Sequence, residues 1–219
     1  MRRIIGMAFV SLDGVMQAPG GPNEDPTGGF ELGGWLPAVD DEALGNQIMT
    51  YFSRPFDLLL GRRTWEIFAA HWPFMTDNGP ITTSFRDCRK YVLTRSDIAL
   101  DWAGSERIPD LETLAELKQG EGPDLLIQGS STLYPQLLER GLIDRLVLLV
   151  APLLLGSGKK LFGDGTPAGR WMLVEQRTGS GGMAIGTYDR AGPVETGSFE
   201  VPELNPREIA RREKLQREG

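Results

Sequence analysis

Apolar positions fall into short blocks whose spacing switches between the strand and helix periods along the chain. Seven runs bounded by turn residues read as strands: Arg3 to Val10, Phe56 to Leu60, Arg89 to Thr94, Asp124 to Gln128, Ile143 to Ala151, Trp171 to Arg177 and Met183 to Asp189. Helical spacing marks Asp40 to Phe52, Thr64 to His71, Asp110 to Lys118 and Ser131 to Arg140. Gly141 stands just past the last of these, where a left-handed cap residue is expected, and Pro135 falls early enough to sharpen the helix start. This alternation predicts a mixed α/β domain with a mostly parallel central sheet. Only TGSGG separates the last two strands, so they are expected to pair as an antiparallel hairpin.

Two segments break the pattern. Ser11 to Trp35 is too rich in glycine and proline for a regular element, and loops of that length inside a compact domain usually carry function. Its glycines and its position fit a lid that excludes water from a reaction site. After Ala191 the chain turns polar, which divides it into a domain over 1–191 and an extension over 192–219. From Arg207 to Glu218 the apolar members are Ile209, Ala210 and Leu215, so the expectation is a solvated arm, or one that docks on a partner, rather than an independently stable helix.

Composition narrows the function classes. The chain has 219 residues, 40% of them hydrophobic, enough to bury a full core. A formal charge of −7 and a pI near 4.9 argue against a nucleic-acid binder, so any anion must be met by local cations. The single cysteine, Cys88, and the single histidine, His71, leave no internal disulfide and no zinc-ligand cluster, and they point to a reducing, cytoplasmic setting. His71, in an aromatic-rich stretch, reads as a packing residue. MRRIIGMAFVSLDG is broken by Gly6 and meets Asp13 instead of a cleavage site, so it reads as a first strand rather than a signal peptide. LVLLVAPLLLG, from Leu146, is too short to span a membrane and contains Pro152.

Three strand ends carry small or cationic residues: GRRT (Gly61 to Thr64), TRS (Thr94 to Ser96) and GSST (Gly129 to Thr132). In an open α/β sheet ligands bind outside the carboxyl ends of the strands, where helix N-termini offer free N–H groups to anions. Three such ends suit an extended, phosphate-bearing ligand, although Gly129, Ser130 and Ser131 would equally serve as a helix cap. The dinucleotide fingerprint G-x-G-x-x-G, the P-loop and the G-x-S-x-G nucleophile elbow are all missing.

The order SLDG, LLLGRRTWE, YVLTRS and LLIQGSSTLYPQLLERGLIDRLVLLVAPLLLGSGKKLF resembles the dihydrofolate-reductase-like superfamily, and within it the RibD C-terminal family, the reductase domain of riboflavin biosynthesis. The resemblance covers roughly Arg2 to Asp189. It implies a three-layer fold with a mostly parallel mixed sheet between helices, and a reductase that uses NADPH. By the same resemblance Gly61, Arg62 and Thr64 contact the cofactor phosphates. Thr94, Arg95 and Ser96 approach the 2′-phosphate, and Gly129, Ser130, Ser131 and Thr132 hold the pyrophosphate. Related reductase domains pair, so a homodimer is expected, with LVLLVAPLLL serving either the sheet or the subunit interface.

For the substrate side the candidates are Asp40, five residues after Trp35 as in dihydrofolate reductases, and Asp13 in SLDG. Asp40 is equally a natural helix N-cap and Asp13 a turn residue. Riboflavin-pathway reductases usually carry glutamate where Gln128 stands, and dihydrofolate reductases lack APLLLGSGKKLF. The resemblance therefore implies hydride transfer to a small pteridine- or pyrimidine-like heterocycle, in an enzyme related to the 5-amino-6-(5-phosphoribosylamino)uracil reductase of riboflavin biosynthesis. The alternatives are dihydrofolate reduction and a noncatalytic nucleotide-binding dimeric scaffold.

Overall fold

A computed structural model describes residues 1–77, 79–199 and 204–218. Its strands are β1 (Ile4–Ser11), β2 (Phe56–Gly61), β3 (Lys90–Leu93), β4 (Ser105–Ile108), β5 (Asp124–Ile127), β6 (Arg145–Ala151), β7 (Arg170–Thr178) and β8 (Ala184–Gly192). The helices are α1 (Glu42–Phe52), α2 (Arg62–Ala69), α3 (Pro80–Asp87), α4 (Leu111–Gln119), α5 (Leu133–Glu139) and α6 (Pro206–Glu218).

One sheet takes the order β4-β3-β2-β5-β1-β6-β8-β7. Pairings from β4 through β6 are parallel, and β8 runs antiparallel to both β6 and β7, the expected hairpin. Alternate side chains feed two cores. Ile5, Met7, Leu58, Leu60 and Leu126 pack with Phe52 of α1, Trp65 of α2 and Phe85 of α3 on one face. Ile4, Ala8, Leu59, Leu125 and Ile127 pack with Leu114 of α4 and with Leu133 and Leu137 of α5 on the other. Because both faces are covered, β2 is buried along its whole length, which is why FDLLLG reads as a continuous apolar run. Gly6 of β1 admits α5: a Cβ there would lie 2.7 Å from Cε1 of Tyr134.

A buried ion pair fixes the amino ends of the central strands. The Arg2 guanidinium pairs with Asp57, while its Nε donates to the Pro123 carbonyl at 2.6 Å and Asp57 Oδ1 accepts from Arg89 N at 3.0 Å. Removing one partner of such a pair costs about 3–5 kcal/mol, since it strands a buried charge.

Three readings of the sequence are corrected. Strand β4 and helix α3 were not anticipated. SERI in β4 is an edge strand with Ile108 as its one buried residue, and PITTSFRD in α3 is rich in threonine, with Thr82 and Phe85 buried. LVLLVA is β6, an internal strand between β1 and β8, which is the sheet role, one of the two expected of it. The tail is a helix. Asn205 Oδ1 accepts from the N–H groups of Arg207 and Glu208, each at 3.1 Å, and Glu208 pairs with Arg211 at 2.5 Å and Arg212 at 2.9 Å. Capping and i,i+3 and i,i+4 charge pairs supply what a count of apolar residues misses.

Candidate active site

Register brings the three turns to one edge. Gly61 stands opposite Leu93, and Leu59 opposite Ile127, so GRRT is flanked by TRS on one side and GSST on the other. The Gly61 N–H donates to the Gly129 carbonyl at 3.3 Å, and Thr64 Oγ1 lies 2.9 Å from Ser130 Oγ. Gly129 has φ +131, and a Cβ on it would sit 2.7 Å from Thr64 Oγ1; the Gly129–Ser130 peptide is cis. No side chain larger than hydrogen fits between the two turns.

These turns form one end of a cleft of about 1010 Å³. Its lining includes Gly61, Arg62, Arg63, Thr64, Gln128, Gly129, Ser130, Ser131 and Thr132. Arg62 forms an i,i+4 pair with Glu66 at 2.5 Å, so the expected cation is present at the start of α2 and is held there. Gln128, at the end of β5, has a buried Nε2 without a hydrogen-bond partner. Away from the turns the wall is apolar: Met7 and Phe9 of β1, Ile48 and Phe52 of α1, Ile67 and Phe68 of α2, Trp72, and Ile81 and Phe85 of α3. The rings are mutually packed, with Trp72 4.4 Å from Phe85 and Phe68 5.7 Å from Phe85. His71, exposed at this wall, stacks edge-on against Trp72 at 5.1 Å.

The long segment after β1 lines the cleft through Met16 to Asp25. It is better folded than its composition implies. Val15, Ala18, Phe30 and Trp35 are buried, and Thr27–Gly29 forms a short 3-10 turn. Gln17 knits it together: its Nε2 donates to the carbonyls of Asp25 at 2.9 Å and Thr27 at 2.8 Å, and its Oε1 accepts from Lys159 N at 2.9 Å. The Lys159 ammonium then clamps Asp25 at 2.5 Å and Thr27 Oγ1 at 2.7 Å. Burial pushes the Asp25 carboxyl up, but hydrogen bonds from Lys159 and Thr27 outweigh it and hold the group below its ordinary value. Glu24 goes the other way: burial raises it, although it accepts from Gly20 N at 2.6 Å and Gly21 N at 3.2 Å.

The remaining sequence candidates lie outside the cleft lining. Asp13 accepts from Ser11 Oγ at 2.5 Å, Leu155 N at 3.1 Å and Gly156 N at 2.8 Å, which ties the chain after β6 to the end of β1. The Ser11 hydrogen bond, followed by those from the backbone, draws its pKa down to about 2. Asp40 is exposed, and the helix cap expected of it belongs to Asp41. Asp41 accepts from Ala43 N at 2.9 Å, Gly181 N at 2.9 Å and Met183 N at 3.1 Å, so one carboxylate serves both α1 and the β7–β8 turn. Thr94, Arg95 and Ser96 directly follow Leu93, which does line the cleft. Thr94 Oγ1 accepts from Ser96 N at 3.1 Å, and Arg95 is exposed. Sequence reasoning missed the apolar wall, Glu24 and Lys159. Ile48 and Phe52, four residues apart on α1, were the legible signal for that wall.

The sheet order, the two helical layers and the cleft at the strand ends define a dihydrofolate-reductase-like fold. The sequence profile of the RibD C-terminal domain matches residues 2–185, and the chain belongs to that family. It is similar to the protein YyaP of Bacillus subtilis (strain 168), with 28% identity over 197 residues, 85% of this chain and 94% of that protein. Among solved structures it is similar to a candidate riboflavin biosynthesis protein from Shewanella sp. PV-4, with a TM-score of 0.65 and 20% identity over 86% of this chain and 99% of that one. A pyrimidine reductase-like protein from Corynebacterium diphtheriae matches with a TM-score of 0.58 and 14% identity, over 87% of this chain and 92% of that one. Dihydrofolate reductase from Enterococcus faecalis, complexed with NADP(H) and RAB-propyl, matches with a TM-score of 0.54 and 17% identity, over 86% of this chain and 96% of that one.

Proposed function

We propose that the protein is a cytoplasmic, NADPH-dependent reductase acting on a small pteridine- or pyrimidine-like heterocycle. One observation carries this reading above the others: the GRRT and GSST turns meet at the cationic end of a cleft whose other end is apolar. A dinucleotide fits such a site, because its phosphates need local N–H groups and cations in an otherwise acidic protein while its ring needs a dry wall. The Enterococcus reductase of the same fold holds NADP(H).

In this reading Gly61, Arg62, Thr64, Gly129, Ser130, Ser131 and Thr132 hold the pyrophosphate, and Thr94, Arg95 and Ser96 meet the 2′-phosphate. When bound, NADPH supplies the hydride, which adds to an electrophilic ring carbon while a proton adds to the neighbouring heteroatom, leaving NADP⁺. The chain's task is to position and dry the reactants. Phe68, Trp72 and Ile48 offer the substrate flat apolar surface, and the Gly20 to Asp25 segment covers it. The unpartnered Nε2 of Gln128, one residue before the GSST turn, is a donor in the cleft lining. Asp13 ties the chain after β6 to the end of β1, and Asp41 joins α1 to the β7–β8 turn.

The test is NADPH titration by fluorescence, followed by turnover with dihydrofolate, the riboflavin-pathway ribosylaminopyrimidine and small imines. Micromolar binding with oxidation of NADPH on one of these supports the reading. Absence of NADPH binding overturns it, and tight binding without turnover favours a nucleotide-binding scaffold.

A further inference from the structure

We infer that the hollow between α5 and the β7–β8 hairpin is a second binding site, for a small planar carboxylate with an apolar body. Its volume is about 290 Å³, room for a single-ring ligand, and it shares no lining residue with the cleft. It lies towards the opposite end of the sheet. Ile143 precedes β6, and Arg170 opens β7 opposite Gly192 of β8, whereas the cleft turns stand at the carboxyl ends of the parallel strands. Helix α5 spans the two: Leu133 and Gln136 line the cleft, and Leu138 lines the hollow.

The hollow is cationic in an acidic protein. The chain has 30 acidic residues against 23 basic ones, yet Arg170 and Arg190 line this space and no carboxylate does. Arg190 Nη1 donates to the Gly141 carbonyl at 2.9 Å, and the guanidinium lies so close over that glycine that no Cβ fits there. The other N–H groups of this guanidinium meet no acceptor among the described residues. Neighbouring carboxylates are committed elsewhere. Asp189 takes Arg145 at 2.6 and 2.8 Å, and Asp144 takes Lys118 and the Ile4 N–H. Arg170 meets Glu195 at 3.9 Å in an exposed pair, which contributes little. A held guanidinium with unused donors suits a carboxylate, which it meets through planar charge-assisted hydrogen bonds. The walls describe the rest of the ligand. Leu138, Ile143, Pro167 and Pro193 offer apolar contact, and the Trp171 indole offers a face for a flat ring. Gly141 follows the carboxyl end of α5, where partial negative charge favours a monoanion over a phosphate dianion.

The experiment titrates salicylate, its neutral counterpart salicylamide and phenyl phosphate into the full chain, labelled with nitrogen-15 at its five tryptophans. Indole N–H signals are followed by NMR. Trp171→Phe assigns the signal at the hollow, and Trp72→Phe assigns one in the cleft lining. Salicylate is expected to move the Trp171 signal saturably with a dissociation constant below about 1 mM, and the other two probes to bind about tenfold more weakly. Arg190→Gln should weaken salicylate about tenfold, and Arg190→Lys, which keeps the charge without the fork, should recover only part of that. Because Arg190 also holds the end of α5, Arg170→Gln supplies a second variant that leaves the helix untouched and should weaken salicylate as well. Arg62→Ala, in the cleft, should leave salicylate binding at the Trp171 signal unchanged. The inference is overturned by a saturable shift confined to Trp72, by none at all up to about 10 mM, or by unchanged affinity in both glutamine variants. Equal binding of salicylamide, or tighter binding of phenyl phosphate, overturns it too.

Discussion

Thr64 Oγ1 lies 2.9 Å from Ser130 Oγ, although 66 residues separate them in the chain. The contact joins the start of α2 to the turn after β5 and holds both strand ends at one distance. Thr64→Val keeps the shape and removes the hydroxyl. A hydrogen bond of this kind contributes about 1 kcal/mol, so the variant is expected to lose that much stability. It should also weaken NADPH by about five- to tenfold. Chemical denaturation and NADPH titration read the two effects; unchanged NADPH affinity would detach this pair from the cofactor site.

Cofactor preference is the next expectation. NADPH differs from NADH by one phosphate on the adenosine ribose, and guanidinium groups meet phosphate through planar charge-assisted hydrogen bonds. Such contacts contribute about 1.5–3 kcal/mol, or roughly tenfold to a hundredfold in affinity. Arg95→Ala should therefore weaken NADPH far more than NADH, while Arg62→Ala should weaken both. Dissociation constants for each variant decide it. An equal loss for both cofactors in Arg95→Ala would remove the 2′-phosphate assignment and leave TRS an ordinary strand end.

That the GRRT and GSST turns end strands and open helices was legible in the sequence because strand-to-turn-to-helix transitions are local: FDLLLG then RRTWE, or DLLI then GSST, contain the whole signal within one short window. The apolar part of the cleft was not. Its wall is assembled from α1, α2, α3 and the residues around Trp72, and nothing local marks Ile48 and Phe85 as neighbours across one cleft. Strand β4 escaped for a related reason, since its pairing of Tyr91 with Glu106 depends on an adjacent strand and not on its own apolar pattern. Asp40 and Asp41 differ by one position, and only the backbone decides which carboxylate reaches Ala43 N. A low apolar count described the tail correctly as exposed, while its capping residue and charge pairs decided the helix.

Asp13 makes a pH dependence predictable. Its folded-state pKa of about 2 lies below the ordinary 3.8. A depressed carboxylate contributes stability that is fully present above the ordinary value and is lost as pH falls towards the folded value. Unfolding measured between pH 6 and about pH 2 should therefore show part of the acid destabilisation disappearing in Asp13→Asn. Parallel curves for the two proteins across that window would mean that the Ser11, Leu155 and Gly156 contacts carry no ionic preference.

A homodimer is expected through β7, the exposed edge of the sheet. Its nine residues include Met172, Leu173 and Val174, exposed by 57, 47 and 41%. A long apolar edge is a template for strand pairing with a second copy. Met172→Lys with Val174→Glu should convert the dimer to a monomer with an intact fold. Sedimentation velocity at micromolar concentration checks this, and a wild-type monomer would sink the dimer.

Lys159 offers the sharpest test of the covering segment. The ammonium reaches Asp25 and Thr27, while the backbone N–H of the same residue holds Gln17 Oε1, so one position on the chain after β6 secures the segment at two points. Lys159→Met removes the charge and keeps the backbone contact. If the segment is a lid that closes over substrate, its loosening should raise the substrate KM by about tenfold. NADPH affinity should stay within about twofold, because the GRRT and GSST turns are untouched. Lys159→Arg should restore most of the loss. Hydrogen exchange supplies an independent readout: residues 18–27 should gain protection in the wild type when NADPH and a substrate analogue bind, and should gain less in Lys159→Met. Equal protection in both proteins, with KM unchanged, would make the segment a fixed wall and its lysine a surface ion pair of little consequence.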